Sequence, residues 1–302
     1  MSRHPNFFIV GAHKCGTSAL FDYIAQHPLA FCPDEKEPCF FAYDYPELRG
    51  YYTYEDYLAL FADANESHIA VGEASPVYFL SKVAAGELHK HYPDARLIIM
   101  FRNPVDMVHS FHSQMLITLN EDQPDFEQAW RMQDERMAGK NIPHNCRVPE
   151  LLQYRNVGRM SNYAQAFLEL FPAEQVRLII FDDLKNDPRT VFDDTCAYLD
   201  LPILTDVDFR IVNANRAHKS KLLARLTDRP LPQSIENASA ALKRAIGLGD
   251  AKIRRAISRR NIVVAPRKEL SPDFRRELVA EFSDEVSRLE TLTGRNLQHW
   301  HH

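Results

Sequence analysis

Short apolar runs alternate along the chain with longer segments in which apolar and polar positions follow a helical period. Four apolar runs are bounded by turn-forming residues, at 7–10, 69–72, 96–101 and 176–181. Runs of this length are typical of strands that are buried on both faces of a sheet. Helical patterns occur at 17–26, 54–62, 105–115, 163–171 and 190–199. Because strands alternate with helices, the sequence predicts an α/β fold with a central, mainly parallel sheet flanked by helices.

The pattern changes after Pro202. Residues 225–267 are rich in basic side chains and contain few large apolar runs, whereas 272–292 again has the apolar spacing of a helix. We therefore expect one domain over residues 1–302, with a helical or loop lid at 205–270 and a helical C-terminal region. The basic segment is interpreted either as a solvated lid or as a platform for an anionic donor or acceptor.

Composition and charge exclude several classes of protein. The chain has 302 residues and a formal charge of −5, so its net charge predicts no general attraction to nucleic acid. The five cysteines are scattered and contain no C-x-x-C pair, which argues against a disulfide framework and a zinc site. The apolar run at 7–10 is too short for a signal peptide or a membrane span. We therefore expect a cytoplasmic protein without a transmembrane segment or a nucleic-acid partner, and the sequence leaves its oligomeric state open.

The loop at 11–18 joins the first predicted strand to the first predicted helix. Its glycines allow a ligand to approach the backbone, and the amide groups and dipole of the following helix attract an anion. Thr17 and Ser18 add hydroxyl donors to the first helical turn. Lys14 lies inside the loop, whereas a Walker A loop has its lysine directly after the second glycine, where Thr17 stands. The loop therefore predicts a phosphate-type anion site that differs from the Walker type.

A second candidate anion site follows the third predicted strand. Arg102 stands at the C-terminal end of that strand, where open α/β sheets bind ligands. Ser110 lies two turns into the next predicted helix, and a guanidinium with a hydroxyl partner is a suitable phosphate clamp. The alternative is an arginine paired with a structural carboxylate. Two anion sites at neighbouring strand ends suit a nucleotide with phosphates at its 5′ and 3′ positions, a feature that ATP and GTP lack.

Glu73 follows the second predicted strand and is the candidate general base. A carboxylate there could accept a proton from an attacking hydroxyl or amine. Because a free glutamate has a pKa near 4.3, the proton should leave only as the new bond forms. The alternatives are a glutamate that caps the following turn, or a base at His109 or His112. The two histidines are three residues apart and could bind a metal in principle, but no third ligand is evident, so we expect no metal.

Three stretches resemble motifs of the sulfotransferases that use 3′-phosphoadenosine 5′-phosphosulfate (PAPS). Residues 11–20 contain every fixed position of the 5′-phosphosulfate loop, G-x-x-K-x-G-T-[ST]-x-L. Residues 102–110 are similar to the 3′-phosphate motif R-[ND]-P-x-x-x-x-x-S, and 73–78 look like the E-x-[ST]-P-x-Y motif of the glycan-sulfating and related bacterial branch. The resemblance runs from about residue 7 to 201 and returns weakly at 294–300.

The resemblance implies a role for each matching residue. It implies that PAPS is the cosubstrate and adenosine 3′,5′-bisphosphate the product. Contacts with the phosphosulfate would come from Lys14, Cys15, Gly16, Thr17, Ser18 and Ala19. Contacts with the 3′-phosphate would come from Arg102, Ser110 and, in a late loop, Arg216. Glu73 would be the base, and Lys36, in a stretch similar to K-E-x-x-[FY]-F, would help Lys14 to neutralise the transferring group. Tyr163 lies in a stretch like the family's G-x-Y region, but with longer spacing.

The sequence therefore predicts a sulfotransferase that moves a sulfuryl group from PAPS to a hydroxyl or an amine by in-line displacement. The acceptor is a small molecule, a glycan or a lipid. Two alternatives are a P-loop kinase or NTPase and a nucleotide-binding module without catalytic activity. The absence of a Walker lysine argues against the first, and the charged residues Lys36 and Glu73 near the loop argue against the second.

Overall fold

A five-stranded sheet forms the centre of the molecule. The computed structural model describes residues 4–209, 216–218, 262–264 and 267–302. Within these ranges the strand order is β2-β3-β1-β4-β5, and every neighbouring pair is parallel. The strands are β1 (Phe7–Gly11), β2 (Ala30–Phe31), β3 (Ala70–Ala74), β4 (Arg96–Phe101) and β5 (Val176–Ile180). The predicted α/β fold is confirmed, and the four predicted strands all belong to the sheet.

Helices connect the strands and flank the sheet. In the first half they are α1 (Thr17–Ile24), α2 (Tyr54–Ala59), α3 (Ala84–His91), α4 (Pro104–Ile117), α5 (Phe126–Arg131) and α6 (Gln133–Met137). They continue as α7 (Tyr154–Val157), α8 (Met160–Leu170), α9 (Phe181–Asn186), α10 (Pro188–Tyr198), α11 (Pro272–Glu281) and α12 (Ser283–Thr293). Single 3₁₀ turns occur at Pro46–Leu48, Pro76–Phe79, Pro149–Leu152, Ala173–Gln175 and Gln298–His301. None of the described helices is both long and apolar enough to cross a membrane.

The last predicted helix is two helices. The expectation of one helix over 272–292 is wrong at Phe282, where the backbone leaves the helical conformation between α11 and α12. The Phe282 ring is buried and lies 5.9 Å from the Trp130 ring, edge to face. The bend therefore allows both helices to pack on the core. The prediction of a helical C-terminal region is confirmed.

The centre of the sheet is wholly apolar. The side chains of β1 from Phe7 to Val10 and those of β4 from Leu97 to Phe101 are fully buried. Each such side chain contributes about 1.5–3 kcal/mol by leaving water, so these two strands hold the sheet together. Because β3, β1 and β4 are adjacent and parallel, their carboxyl ends meet at one edge of the sheet. The loop at 11–18, Glu73 and Arg102 are thereby brought to the same edge.

Only part of the predicted lid at 205–270 lies within the described residues. That part includes a two-stranded antiparallel pair, β6 (Arg216–His218) and β7 (Ile262–Val264). Strand β6 lies beside α4. The sequence predicted only helix and loop over this range, so the two strands were not foreseen. Closure of the lid and the extent of the single domain stay predictions, and the arginine pairs at 254–255 and 259–260 lie outside the described residues.

Candidate active site

The loop at 11–18 turns sharply before it enters α1. Gly16 is the N-terminal cap of α1 and has φ of 95°, and a Cβ at this position would lie 2.8 Å from the Phe181 ring. A glycine is therefore required both by the backbone and by the packing. Gly16 has no side chain to cap α1, and the amides of Thr17 and Ser18 have no acceptor within the helix by its geometry. The amide of Ala19 donates to Gly16 O at 3.0 Å. The first turn of α1 thus suits an anion.

The two residues before Gly16 have opposite orientations. Lys14 Nζ donates a hydrogen bond to Gln114 Oε1 on α4 at 3.4 Å. Cys15 Sγ instead lies in the core, 3.4 Å from His13 O and 3.9 Å from Met160 Sδ. Burial raises the pKa of Cys15 to about 12, so its thiol stays protonated. A contribution of Cys15 to an anion site would have to come from its backbone.

Arg102 and Ser110 form the second candidate anion site. Arg102 Nη1 donates to Lys14 O at 3.2 Å, and its guanidinium lies 4.7 Å from the centre of the Phe181 ring. Asn103 Oδ1 caps α4 by accepting a hydrogen bond from Val105 N at 3.0 Å. This capped helix carries Ser110, which is buried. The site is therefore joined to the loop at 11–18 through a direct contact.

Arg267 belongs to this site and was not predicted as a site residue. Its Nη2 donates to Ser110 Oγ at 3.1 Å, and its Nε donates to Ser113 Oγ at 3.0 Å. Burial lowers the pKa of Arg267, and the charge of Arg102 lowers it further, while Asp106 opposes both. Two guanidinium groups whose charges repel each other are stabilised by an anion bound between them. The only signal in the sequence was that Arg267 ends the basic segment 225–267.

The backbone of Arg216 lies near the helix that carries part of this site. Arg216 lies in β6, pairs with Val264 and runs alongside α4, the helix that carries Ser110. Its side chain is outside the part of the chain that the structure describes. Its role as a further anion contact therefore stays a prediction.

Glu73 is enclosed by its own hydrogen-bond partners. Its side chain is 1% exposed, Ser75 Oγ donates to Oε2 at 2.7 Å, and Tyr78 OH donates to Oε1 at 2.6 Å. Burial raises the pKa of Glu73 to about 7, and the hydrogen bonds from Tyr78 and Ser75 oppose this rise. Both carboxylate oxygens therefore already accept one hydrogen bond, and burial limits the access of an acceptor to the lone pairs that remain.

Glu37 is a second carboxylate at this edge, and the sequence analysis missed it. Its side chain is accessible to solvent but lies in a recess, so desolvation raises its pKa while the charges of Lys14 and Lys36 lower it. The backbone at Glu37 has φ of 55°, in the left-handed region. Two residues on, Cys39 N donates to Ser75 Oγ at 3.0 Å, which ties this segment to the Glu73 network. The signal was present, because Glu37 lies in the same K-E-x-x-[FY]-F stretch from which Lys36 was chosen.

Lys36 lies at the mouth of this recess. Its ammonium group forms an ion pair with Asp22 on α1, and the Lys36 side chain is 48% exposed. Asp22 follows the first turn of α1, so Lys36 is held beside the helix that the loop at 11–18 enters. The structure brings Lys36 near Glu37. A catalytic role for Lys36 stays a prediction.

The histidines of α4 are packed side chains. His112 is buried, and its Nε2 is 2.8 Å from Gln123 O. The His109 ring stacks on Phe126 at 5.4 Å, and burial, with the charge of Arg267, lowers the pKa of His109 to about 3. Neither is placed to act as a base near neutral pH. Among the described residues, no three His, Cys, Asp or Glu side chains are grouped as a metal site would require.

Tyr163 packs against the Phe79 ring. Its ring is 5.9 Å from the Phe79 ring, and burial raises the pKa of its phenol. The tilted contact with Phe79 accounts for the position of Tyr163 as a packing residue on α8. A contact of Tyr163 with a nucleotide stays a prediction.

Cationic and acidic groups occupy different parts of the site. Lys14, Arg102 and Arg267 lie around the loop at 11–18 and the start of α4, and Glu37 and Glu73 lie toward β3. Such an arrangement can bind a donor with several negative charges and take a proton from a group beside it.

Comparisons with known proteins agree with this chemistry. Residues 4–244 match the family model described as "Sulfotransferase domain". Carbohydrate sulfotransferase 15 of Homo sapiens is 25% identical over 272 residues, which cover 72% of this chain and 47% of that protein. Heparan sulfate glucosamine 3-O-sulfotransferase 6 of Homo sapiens is 33% identical over 114 residues, which cover 38% of this chain and 31% of that protein. The chain thus spans about half or less of the length of these curated relatives.

A solved structure resembles the chain over its whole length. The crystal structure of a sulfotransferase from Alicyclobacillus acidocaldarius matches with a TM-score of 0.71 and 29% sequence identity, covering 99% of this chain and 100% of that one. The family model covers most of the chain, and the parallel sheet with its helices matches this neighbour. The chain therefore belongs to the sulfotransferase domain family.

Proposed function

We propose that this chain is a sulfotransferase that takes its sulfuryl group from PAPS and transfers it to a hydroxyl or an amine. The observation that carries the proposal is the pair of linked cationic sites at adjacent strand ends. One is the loop at 11–18 with Lys14, and the other is formed by Arg102, Ser110 and Arg267. A donor with anionic groups at both its 5′ and 3′ ends fits two such sites, and this family generally uses PAPS.

The donor side of the chain supplies electrostatic stabilisation. PAPS, when bound, supplies an activated sulfuryl group whose S–O bond to the phosphate breaks as the acceptor's bond to sulfur forms. The amides at the start of α1 and Lys14 then stabilise the negative charge that develops on the bridging oxygen. The guanidinium groups of Arg102 and Arg267 hold the 3′-phosphate and fix the orientation of the donor. We expect Lys36 to add positive charge at the mouth of the recess.

Two glutamates are candidates for accepting the proton of the acceptor. Glu73 is the base predicted from the sequence, but its carboxylate is buried and both oxygens already accept hydrogen bonds. Glu37 is reachable from solvent and lies close enough to Lys14 for their charges to interact. We therefore propose that Glu37 contacts the acceptor, with Glu73 as the alternative base. In either case the proton leaves the acceptor as the new S–O or S–N bond forms.

The acceptor is proposed to be a glycan. The names of the relatives, which refer to carbohydrates and to heparan sulfate glucosamine, support this class. Small-molecule and lipid acceptors are the other classes that the sequence analysis left open. We expect the chain to act in the cytoplasm. The kinase alternative and the non-catalytic alternative both lose support from membership of the sulfotransferase family.

The proposal is tested by incubating the purified chain with PAPS and pooled oligosaccharides, followed by mass spectrometry of the products. We expect an added sulfate on an acceptor and formation of adenosine 3′,5′-bisphosphate in equal amount. The same incubation with ATP in place of PAPS is the control. Transfer of a phosphoryl group from ATP, or no sulfated product with any acceptor class, would contradict the proposal.

A further inference from the structure

An arginine surrounded by aromatic rings lies a short way along the chain from Glu37. Arg49 Nε donates a hydrogen bond to Phe40 O at 2.9 Å. Its guanidinium carbon lies 4.4 Å from the centre of the Tyr43 ring, 5.0 Å from that of Phe40 and 5.7 Å from that of Tyr52. These contacts fix the plane of the guanidinium. Arg49 is therefore oriented before any ligand arrives, which lowers the entropy lost on binding.

No acidic side chain neutralises Arg49 in the described part of the structure. Within the described ranges, no carboxylate oxygen lies within 4.0 Å of its guanidinium, and its one hydrogen bond there is the bond from Nε. By contrast Arg131, Arg159 and Arg275 each pair with a carboxylate. The terminal nitrogens of Arg49 are thus not committed to an acidic partner, although its stacking and Nε bond already fulfil a structural role.

The rings around Arg49 include the exposed aromatic faces nearest to the candidate base. The Tyr52 side chain is 72% exposed and that of Tyr43 is 37% exposed. A tyrosine ring exposed to this degree can pack against the apolar face of a ligand. Cation and exposed ring therefore stand together on one surface.

This surface is connected directly to the candidate catalytic carboxylates. Phe40, whose carbonyl holds Arg49, directly follows Cys39, whose amide donates to Ser75 Oγ at 3.0 Å. Ser75 in turn donates to Glu73. Glu37 lies three residues before Phe40, and Gly50 N, which follows Arg49, donates to Pro38 O at 3.0 Å, so Arg49 is held beside the segment that carries Glu37.

We propose that Arg49, Tyr43 and Tyr52 form an acceptor subsite for a sugar ring that carries a carboxylate. This inference rests on the proposed sulfuryl transfer to a glycan. Arg49 binds the carboxylate through its terminal nitrogens, because the guanidinium fork matches the two oxygens of that group. The exposed face of Tyr52 packs against the sugar ring. A neutral sugar keeps the ring contact and loses the ionic one, so the subsite discriminates between acceptors by their charge.

The test compares p-nitrophenyl β-D-glucuronide with p-nitrophenyl β-D-glucoside as acceptors for transfer from PAPS. We expect kcat/KM for the glucuronide to exceed that for the glucoside by about 10- to 100-fold, the range for a hydrogen bond to a charged group. Arg49→Gln should make the kcat/KM values for the two acceptors equal, and any loss from altered packing of Tyr43 and Tyr52 should be shared by both acceptors. Equal values in the native protein, or an undiminished preference in Arg49→Gln, would overturn the subsite.

Two further variants test whether a change in kcat/KM reflects lost binding or only a disturbed structure. Tyr52→Ala removes an exposed ring, so the fold is retained, and kcat/KM should fall for both sugars by about 2- to 10-fold. No change for either sugar would contradict the subsite. Arg276→Gln removes a more exposed arginine that pairs with Asp273 on α11, and it should alter neither acceptor.

Calorimetry separates failure of the subsite from failure of the proposed function. Adenosine 3′,5′-bisphosphate should bind the native protein and Arg49→Gln equally, because Arg49 is not among the cationic groups around the donor loop. If the nucleotide binds and neither glycoside binds or accepts sulfate, the subsite is overturned while the donor assignment stands. If the glucuronide binds and the nucleotide does not, the donor assignment fails instead.

Discussion

The donor side and the acceptor side of this site are built in different ways. The donor side consists of backbone amides and cations that follow consecutive strand ends, with Gly16 and Arg102 both resting on the Phe181 ring. The acceptor side consists of carboxylates and rings from the segment 35–54, held to β3 through Ser75. Short local motifs describe the donor side apart from Arg267, whereas tertiary contacts decide which groups of the acceptor side are accessible. A family can therefore retain the same sulfuryl donor while its acceptor substrate changes. This is why sequence motifs predict the donor side.

The largest expected loss of activity distinguishes Glu37 from Glu73 as the general base. Glu37→Gln should lower kcat by about 10²- to 10⁴-fold, the usual contribution of a general base, because Glu37 is the carboxylate that an acceptor can reach. Glu73→Gln should lower it less, since the amide keeps the position and volume of the side chain. The measurement is single-turnover sulfation with saturating PAPS, and Glu169→Gln, at an exposed position of α8, is the control. The reverse order would return the role of base to Glu73.

Lys14 tests the donor side in the same assay. Lys14→Ala should lower kcat by about 10²- to 10³-fold, because a charge that stabilises the transition state is lost. The fold should be retained, since the Lys14 side chain is only partly buried. Lys185→Ala, an exposed lysine on α9, should behave like the native protein. Full activity of Lys14→Ala would remove the lysine from the mechanism.

Arg267 tests whether the second cationic site reads the 3′ position. Arg267→Gln should weaken binding of adenosine 3′,5′-bisphosphate by about 10- to 100-fold, the effect of one hydrogen bond between charged groups. Affinity for AMP, which lacks the 3′-phosphate, should hardly change. Calorimetry with both nucleotides gives the two values, and Arg276→Gln serves as the control. An equal loss for both nucleotides would mean that Arg267 only supports the local structure.

A smaller effect concerns stability and the protonation of Glu73. Its pKa is raised from 4.5 to about 7 in the folded protein, so the folded state holds this proton more tightly than the unfolded chain does. As the pH rises from about 4.5 to 7, the unfolded chain loses the proton first, and the group's contribution to stability falls by about 3 kcal/mol. Urea unfolding of native protein and Glu73→Gln should therefore differ in pH dependence over this window. Parallel curves would contradict the raised pKa.

How much of the fold could be predicted from the sequence depends on whether an element is determined by its own residues or by contacts with distant parts of the chain. The runs at 7–10 and 96–101 are buried on both faces, so composition alone marked β1 and β4. β2 has only two residues and exists because it pairs with β3, so no periodic pattern could mark it. The break at Phe282 similarly follows from packing against Trp130, a contact between distant parts of the chain.

The same distinction holds for the site. The loop at 11–18 and Arg102 were predicted because strand, turn and helix follow one another in the sequence. Arg267 contacts Ser110 across 157 residues, and only the tertiary fold brings the two together. Glu37 lies in the same K-E-x-x-[FY]-F stretch as Lys36, but only the tertiary fold shows that it faces the charge of Lys14. The burial of Glu73, which makes it less accessible than Glu37, is likewise a tertiary property.

The most direct test of the account is the affinity of the native protein for adenosine 3′,5′-bisphosphate relative to AMP, measured by calorimetry at one salt concentration. The two nucleotides share the adenosine and the 5′-phosphate, so the comparison isolates the site formed by Arg102, Ser110 and Arg267. The account predicts that the bisphosphate binds at least about 100-fold more tightly, because its extra phosphate meets two guanidinium groups. Equal affinities, or no binding of the bisphosphate, would contradict it.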